Sequence, residues 1–255
     1  NFIDVYERNG LYKVELPFVL GNEGAGEVTA VGEGVEDFAV GDRVGYMGPN
    51  GSYAEERLLP ADRAIPLPEH ISYETAAASL LKGLTAYYLL FETWKLQAGE
   101  SILWQAAAGG VGLIACQWAN ALGATVYGTA GSAEKVALAR ANGCHVAINY
   151  HEENFADRVR ELTGGRGVDV VYDGVGKATF EQSLDCLRPR GLMVSFGNAS
   201  GPVAVPSLGV LATKGALYVT RPTTKWYFTT SAELRQGAAA LFAAIGNGSV
   251  DIAIN

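Results

Sequence analysis

The segment Ala107-Ala108-Gly109-Gly110-Val111-Gly112 follows the apolar run Ile102-Leu103-Trp104 and precedes the helical pattern Leu113–Leu122. Glycines between a strand and a helix let backbone N–H groups approach a pyrophosphate, and the helix start adds the positive end of its dipole. Ala108, Gly109, Gly110 and Val111 are therefore expected to carry the phosphates of a dinucleotide. The first glycine of the usual Gly-x-Gly-x-x-Gly is replaced by Ala107, so the motif gains its meaning from the strand and helix around it.

The next strand closes on Tyr127-Gly128-Thr129-Ala130-Gly131-Ser132. A fold selective for NAD carries an Asp or Glu there, about 20 residues beyond the glycines, to bind the ribose hydroxyls. The position is apolar here, which removes the carboxylate that would repel a 2′-phosphate. Gly131, Ser132 and Lys135 supply a small residue, a hydroxyl and a cation in its place, and Tyr150 closes the third strand nearby. These residues point to NADPH. Each also has an ordinary explanation: Ser132 as a helix N-cap, Lys135 as a solvated charge and Tyr150 as packing.

Positioning these groups requires a layered α/β frame. Strands are expected at Ser101–Trp104, Thr125–Thr129, Val146–Asn149, Val168–Asp173, Leu192–Phe196 and Ala216–Thr220. Helices are expected at Leu113–Leu122, Ala133–Asn142, Phe155–Thr163 and Thr179–Leu187. This alternation predicts a Rossmann-type doubly wound parallel sheet. Upstream, Gly24–Val31, Arg43–Met47 and Ser52–Leu59, punctuated by glycine turns, predict a small antiparallel barrel. Two helices, Thr75–Leu81 and Thr85–Trp94, are expected to lead into the parallel part, and a helix Ser231–Ile245 followed by a strand ends the chain. The expected domains are 1–84, 85–221 and a return over 222–255 to the first. Both ends read as incomplete.

The chain has 255 residues, 49% of them apolar and 18% charged, with a net charge of −8. That fits a compact soluble protein, and the acidity disfavours nucleic acid. The uncharged stretch Ser101–Ala133 is long enough for a membrane span, yet Gly109-Gly110, Gln105, Gln117 and Asn120 argue against one. No charged segment followed by an apolar core opens the chain, so a cytoplasmic location is expected. Cys116, Cys144 and Cys186 lack the spacing of a zinc knuckle or redox pair and are expected to be reduced, packed thiols.

Five segments together resemble the medium-chain dehydrogenase/reductase superfamily, and within it the zinc-free, zeta-crystallin-like NADPH:quinone oxidoreductases. They are Asn1-Phe2-Ile3-Asp4 with Tyr6, Arg8, Gly10 and Tyr12; Gly21–Gly26; Gly41–Val44; Lys82–Tyr88; and Ser195–Asn198. The resemblance implies a GroES-like β-barrel catalytic domain beside the nucleotide domain, with a quinone acceptor between the two. It assigns Asn1, Tyr6 and Tyr12 to the acceptor, Tyr6 and Tyr12 serving equally well as core aromatics. It places Thr85 at the start of a helix under the nicotinamide, Phe196, Gly197 and Asn198 beside the nicotinamide, and Arg221 near cofactor or product charge. Asp4 and Glu23 are expected to orient backbone or Arg groups rather than to act as acid or base.

The catalytic zinc positions of related alcohol dehydrogenases fall, by the same resemblance, on Asn1, Asn22 and approximately Leu81, which is no ligand set for Zn²⁺. No Lewis acid is then expected to lower an alcohol's pKa, which disfavours alcohol oxidation. The Tyr-x-x-x-Lys of short-chain reductases is missing as well. The resemblance further implies a homodimer and transfer of electrons to a quinone, in one-electron steps giving semiquinone or otherwise. The alternatives are an NADPH-dependent enone or 2-alkenal reductase, and a cofactor-binding protein with a structural or RNA-binding role.

Overall fold

The computed structural model describes residues 1–205 and 207–254. In chain order the elements are α1 (Phe2–Arg8), β1 (Glu23–Glu27), β2 (Arg43–Met47), β3 (Ala64–Pro66), α2 (Tyr73–Tyr87), β4 (Ser101–Trp104), α3 (Gly110–Ala121), β5 (Thr125–Ala130) and α4 (Ala133–Ala141). They continue with β6 (Val146–Asn149), α5 (Phe155–Leu162), β7 (Val168–Asp173), α6 (Phe180–Asp185), β8 (Leu187–Ser195), α7 (Gly209–Thr213), β9 (Tyr218–Thr220), α8 (Thr224–Tyr227) and α9 (Ser231–Gly246). The chain divides into two compact units, one of residues 1–87 with 224–255 and one of residues 88–223.

The first unit holds an antiparallel sheet of order β1-β2-β3. Glycines set its close contacts. A Cβ at Gly24 would run into the Tyr46 hydroxyl across the strand pair, and one at Gly45 would lie 2.6 Å from Leu80 of α2. Helices α2 and α9 approach each other through two reciprocal contacts, Gly83 under Leu241 and Gly237 under Leu84. A capping box starts α9, with the Thr230 hydroxyl accepting from the Glu233 N–H and the Glu233 carboxylate accepting from the Thr230 N–H.

The second unit is a six-stranded parallel sheet of order β6-β5-β4-β7-β8-β9. Its central strands β4 and β7 are buried along their whole length because both faces are covered, and apolar residues fill them except for Ser101, Asp169 and Asp173 near their ends. Leu103, Ile148, Val168, Val171, Phe155 and Leu184 form one core cluster. Trp104 stacks on Tyr172 with ring centroids 4.8 Å apart. The order reverses between β4 and β7, and at the carboxyl ends of the strands this switch point leaves the crevice where such folds bind ligands.

Several expected elements need correction. The two helices of residues 75–94 are one, α2, extended by a π-helical turn over Tyr88–Thr93; Gly83 does not break it, since the missing Cβ there admits Leu241. Ser52–Leu59 is not a strand. Arg57 gathers it into a loop, donating to the carbonyls of Pro49, Asn50 and Leu58 and lying over the Tyr46 ring. Residues 251–254 form no strand, and β1 stops at Glu27. Helix α3 starts at Gly110 rather than Leu113, and α6 ends at Asp185 because Leu187 already opens β8.

The uncharged stretch Ser101–Ala133 is resolved into β4, α3, β5 and the first residue of α4. Among the described residues no helix is long and apolar enough to cross a membrane. All three cysteines are free and buried. Burial pushes the Cys186 thiol up to about 12, and burial beside Cys144 raises Cys116 well above its ordinary value, which suppresses thiolate chemistry at both.

Candidate functional site

At the switch point the chain leaves β4 through Gln105, Ala106 and Ala107 and enters α3 with Gly109 as N-cap. Ala106 has φ +55°, a left-handed conformation uncommon for a residue with a Cβ. Its carbonyl accepts from the Gly109 N–H at 2.9 Å, closing the turn. A Cβ on Gly112 would lie 2.5 Å from the Ala107 carbonyl oxygen, so this glycine lets the helix seat against the turn that feeds it. The N–H groups of Gly110, Val111 and Gly112 belong to the first turn of α3, where no carbonyl four residues back within the helix can accept from them. Gly109 and Gly110 are exposed. The arrangement fits an anion: unpaired donors, a helix dipole and no side chain in the way.

One strand over, Gly131 and Ser132 follow β5, Lys135 lies in the first turn of α4 and Tyr150 follows β6. The Tyr150 hydroxyl lies against Gly131 where a Cβ would otherwise be. Ser132 caps α4, its Oγ accepting from the Lys135 N–H at 3.2 Å, while its own hydroxyl proton remains a donor. Lys135 is exposed and Tyr150 is half-exposed. The cap and a phosphate contact are therefore compatible uses of the same serine.

On the other side of the switch point, Phe196 rests against Trp104 at 5.5 Å between centroids, and its N–H donates to the Asp173 carbonyl. Gly197 passes so close to Gly174 that a Cβ would strike the Gly174 carbonyl. With the Asn198 amide oriented to donate to the Gly197 carbonyl at 3.0 Å, its oxygen accepts from Arg221 Nη2 at 3.1 Å. Arg221 Nη1 donates to the Ser195 carbonyl at 2.9 Å. Arg221 thus clamps the end of β8 from the end of β9.

In the first unit, Asn1 Nδ2 donates to Glu23 Oε1 at 2.6 Å. Glu23 also accepts from the Leu81 N–H at 2.7 Å and pairs with Lys82 at 3.3 Å. Asn22 Nδ2 donates to Asp4 Oδ1 at 2.9 Å and to Glu7 Oε2 at 3.1 Å. The carboxylates of Asp4 and Glu23 orient their neighbours. Carboxamides already donating to carboxylates, with a leucine as the third member, do not fit Zn²⁺. Among the described residues no group of three or more His, Cys, Asp or Glu is disposed to hold a metal. Tyr6 is buried and forms a ring cluster, 5.1 Å from Tyr12 and 5.5 Å from Phe2. Thr85 lies inside α2 rather than at a helix start, its hydroxyl donating to the Leu81 carbonyl at 2.7 Å.

Four residues that sequence reasoning did not single out as site residues stand directly beneath the crevice: Gln105, Thr129, Asp173 and Ser183. All are buried polar groups, linked by hydrogen bonds although 78 residues separate the first from the last. The only signal for them in the sequence is polarity at the end of an apolar strand, as in Trp104-Gln105 and Tyr172-Asp173.

Comparison with known proteins agrees with this geometry. Residues 1–69 match the model of the alcohol dehydrogenase GroES-like domain and residues 110–246 that of the zinc-binding dehydrogenases. A quinone oxidoreductase of Pseudomonas aeruginosa is 56% identical over 100% of this chain and 79% of its own length. A 2-haloacrylate reductase of a Burkholderia species is 47% identical over 97% of this chain and 77% of its own. The crystal structure of Escherichia coli quinone oxidoreductase complexed with NADPH superposes with a TM-score of 0.97 at 52% identity, covering 100% of this chain and 79% of that one. The chain belongs to the zinc-binding dehydrogenase family of the medium-chain dehydrogenase/reductase superfamily, in its quinone oxidoreductase branch.

Proposed function

We propose that this protein is an NADPH-dependent quinone reductase working without zinc. The observation that carries this reading is the open Gly109–Gly112 turn at the switch point, joined to a β5 end that presents Gly131, Ser132 and Lys135 where an NAD-selective fold presents a carboxylate. The likeness to the NADPH-bound Escherichia coli enzyme supports it. NADPH, when bound, supplies two electrons and a proton as hydride equivalent to a planar acceptor.

The chain's own contribution is binding, orientation and a polar environment for the acceptor oxygens. Ala108, Gly109, Gly110 and Val111 hold the pyrophosphate through backbone N–H groups. Ser132 Oγ–H, Lys135 Nζ and Tyr150 Oη take the 2′-phosphate, and Phe196, Gly197 and Asn198 flank the nicotinamide, with Arg221 fixing Asn198. Asn1, held by Glu23, donates to an acceptor oxygen, as does Tyr6, with Tyr12 covering the same acceptor. The nucleotide-binding domain is the unit of residues 88–223, and residues 1–87 with 224–255 form the acceptor side. β9, exposed along two of its three residues at the edge of the sheet, is the surface through which a homodimer forms. Three free, buried thiols and the use of NADPH support a cytoplasmic location.

A titration of NADPH against NADH, followed by initial rates with a quinone panel, tests the reading. Tenfold or greater preference for NADPH and turnover of a benzoquinone or naphthoquinone are expected; equal affinity for the two nucleotides removes the roles of Ser132 and Lys135. The 47% identical 2-haloacrylate reductase favours a second reading, reduction of an activated carbon–carbon double bond. Higher kcat/KM for an enone or 2-haloacrylate than for any quinone would replace the first reading by the second. Analytical ultracentrifugation reads the dimer, and a Val219→Lys exchange on β9 should convert it to monomer.

A further inference from the structure

We propose that Thr129, Gln105, Ser183 and Asp173 are positioning residues, a hydrogen-bonded chain that holds the glycine turn and the loops after β7 and β8 as one prearranged cradle for the dinucleotide. The inference rests on the NADPH reading above and adds residues that touch no ligand.

The chain begins at the Ala106 N–H, which donates to Thr129 Oγ1 at 3.2 Å. Thr129 Oγ1 donates to Gln105 Oε1 at 2.6 Å, Gln105 Nε2 donates to Ser183 Oγ at 3.0 Å, and Ser183 Oγ donates to Asp173 Oδ2 at 3.1 Å. A backbone N–H can only donate and a carboxylate can only accept, so both ends impose one direction on every hydroxyl and amide between them. None of the four residues Thr129, Gln105, Ser183 and Asp173 is more than 2% exposed, so their side chains have no water as a substitute partner.

Both ends of the chain terminate on cradle backbone. At the first end sits Ala106, whose left-handed φ must be held against its own Cβ; the bond to Thr129 does so. At the other end Asp173 Oδ1 accepts from the N–H groups of Val175 and Gly176 at 2.8 and 2.9 Å, and Oδ2 accepts also from the Thr179 hydroxyl. That loop in turn meets the loop after β8: the Ala199 N–H donates to the Gly174 carbonyl and the Ser200 N–H to the Val175 carbonyl. Strands β5, β4 and β7 are thereby tied at their carboxyl ends across the switch point, from the phosphate turn to the Gly197–Asn198 loop.

The test uses the full chain carrying Thr129→Val, Thr129→Ser or Ser183→Ala, with NADPH and adenosine 2′-phosphate dissociation constants from fluorescence titration and KM for a quinone. Thr129→Val should weaken NADPH at least tenfold while leaving adenosine 2′-phosphate, which reaches only the Ser132–Lys135 end, and the quinone KM within twofold. Thr129→Ser keeps the hydroxyl and should return NADPH affinity to within threefold of the parent; Ser183→Ala should weaken NADPH threefold to tenfold. An NADPH dissociation constant within twofold of the parent in folded Thr129→Val and Ser183→Ala protein overturns the proposal, even if the melting temperature falls, because the chain is then a brace for stability alone. Equal weakening of NADPH and adenosine 2′-phosphate overturns it too. If Thr129→Val does not fold, Ser183→Ala decides. Failure of the parent protein to bind NADPH strikes the proposed function itself, whereas these outcomes compare variants with a parent that binds.

Discussion

Strand β7 carries a buried carboxylate near each end, and the two are surrounded differently. Asp169, at the amino end, accepts from Arg166 at 2.7 Å and Arg188 at 2.6 Å and from the N–H and hydroxyl of Ser101. Asp173, at the carboxyl end, accepts among the described residues from neutral donors, two N–H groups and two hydroxyls. The first is a charge lock between β4, β7 and the start of β8 on the face away from the crevice. The second arranges loops beneath it. Charges that satisfy one another are costly to break and leave little room for a ligand, whereas neutral donors shape a loop without placing a fixed cation where the ligand brings its own charge.

Asp169 carries the largest expected effect. Its exchange to Asn should cost about 3 kcal/mol of stability, because two arginines lose their buried partner. Chemical denaturation reads this loss, and the NADPH dissociation constant of the folded variant should stay within twofold of the parent. Asp173→Asn should cost about 2 kcal/mol, since an amide nitrogen then faces donors, and it should also weaken NADPH by about tenfold. Matched effects of the two exchanges on NADPH affinity would erase the distinction.

Acid sharpens the same contrast. Burial would raise the Asp169 pKa, but hydrogen bonds from Arg166, Arg188 and the Ser101 N–H, with the Arg166 charge, outweigh it and hold this carboxyl well below the usual carboxylate range. A carboxylate depressed in the folded state contributes stability that is present above its unfolded pKa, about 3.9, and is lost as pH falls through the folded value. The parent should therefore lose about 2 kcal/mol between pH 5 and pH 2 that Asp169→Asn has already forfeited. The smallest effect lies outside the pair. Lys135→Ala should cost about 1 kcal/mol in NADPH binding, roughly a fivefold loss, with NADH affinity unchanged.

Much of the frame was legible in the residues. Runs such as Ile102-Leu103-Trp104 and Val168-Asp169-Val170-Val171 announce strands covered on both faces, and glycines after the first of them mark the phosphate turn. Local pattern misled where a distant contact decided. Thr75–Leu81 and Thr85–Trp94 read as two helices, yet the chain runs through as one with Leu241 filling the space at Gly83; Ser52–Leu59 read as a strand, yet Arg57 folds it over Tyr46. The clamp of Arg221 on Asn198 and the ring cluster of Tyr6, Tyr12 and Phe2 likewise depend on packing that composition does not display.

What the sequence by itself determined is the parallel sheet, the glycine turn and the missing carboxylate after β5, since each is a property of neighbouring residues and their period. Only the tertiary structure decided that Thr129, Gln105, Ser183 and Asp173 form one directed chain. Three strand ends and a helix must be stacked in the order β5-β4-β7 before their polar groups come within hydrogen-bonding distance, and strand order is a consequence of crossover connections, not of local propensity.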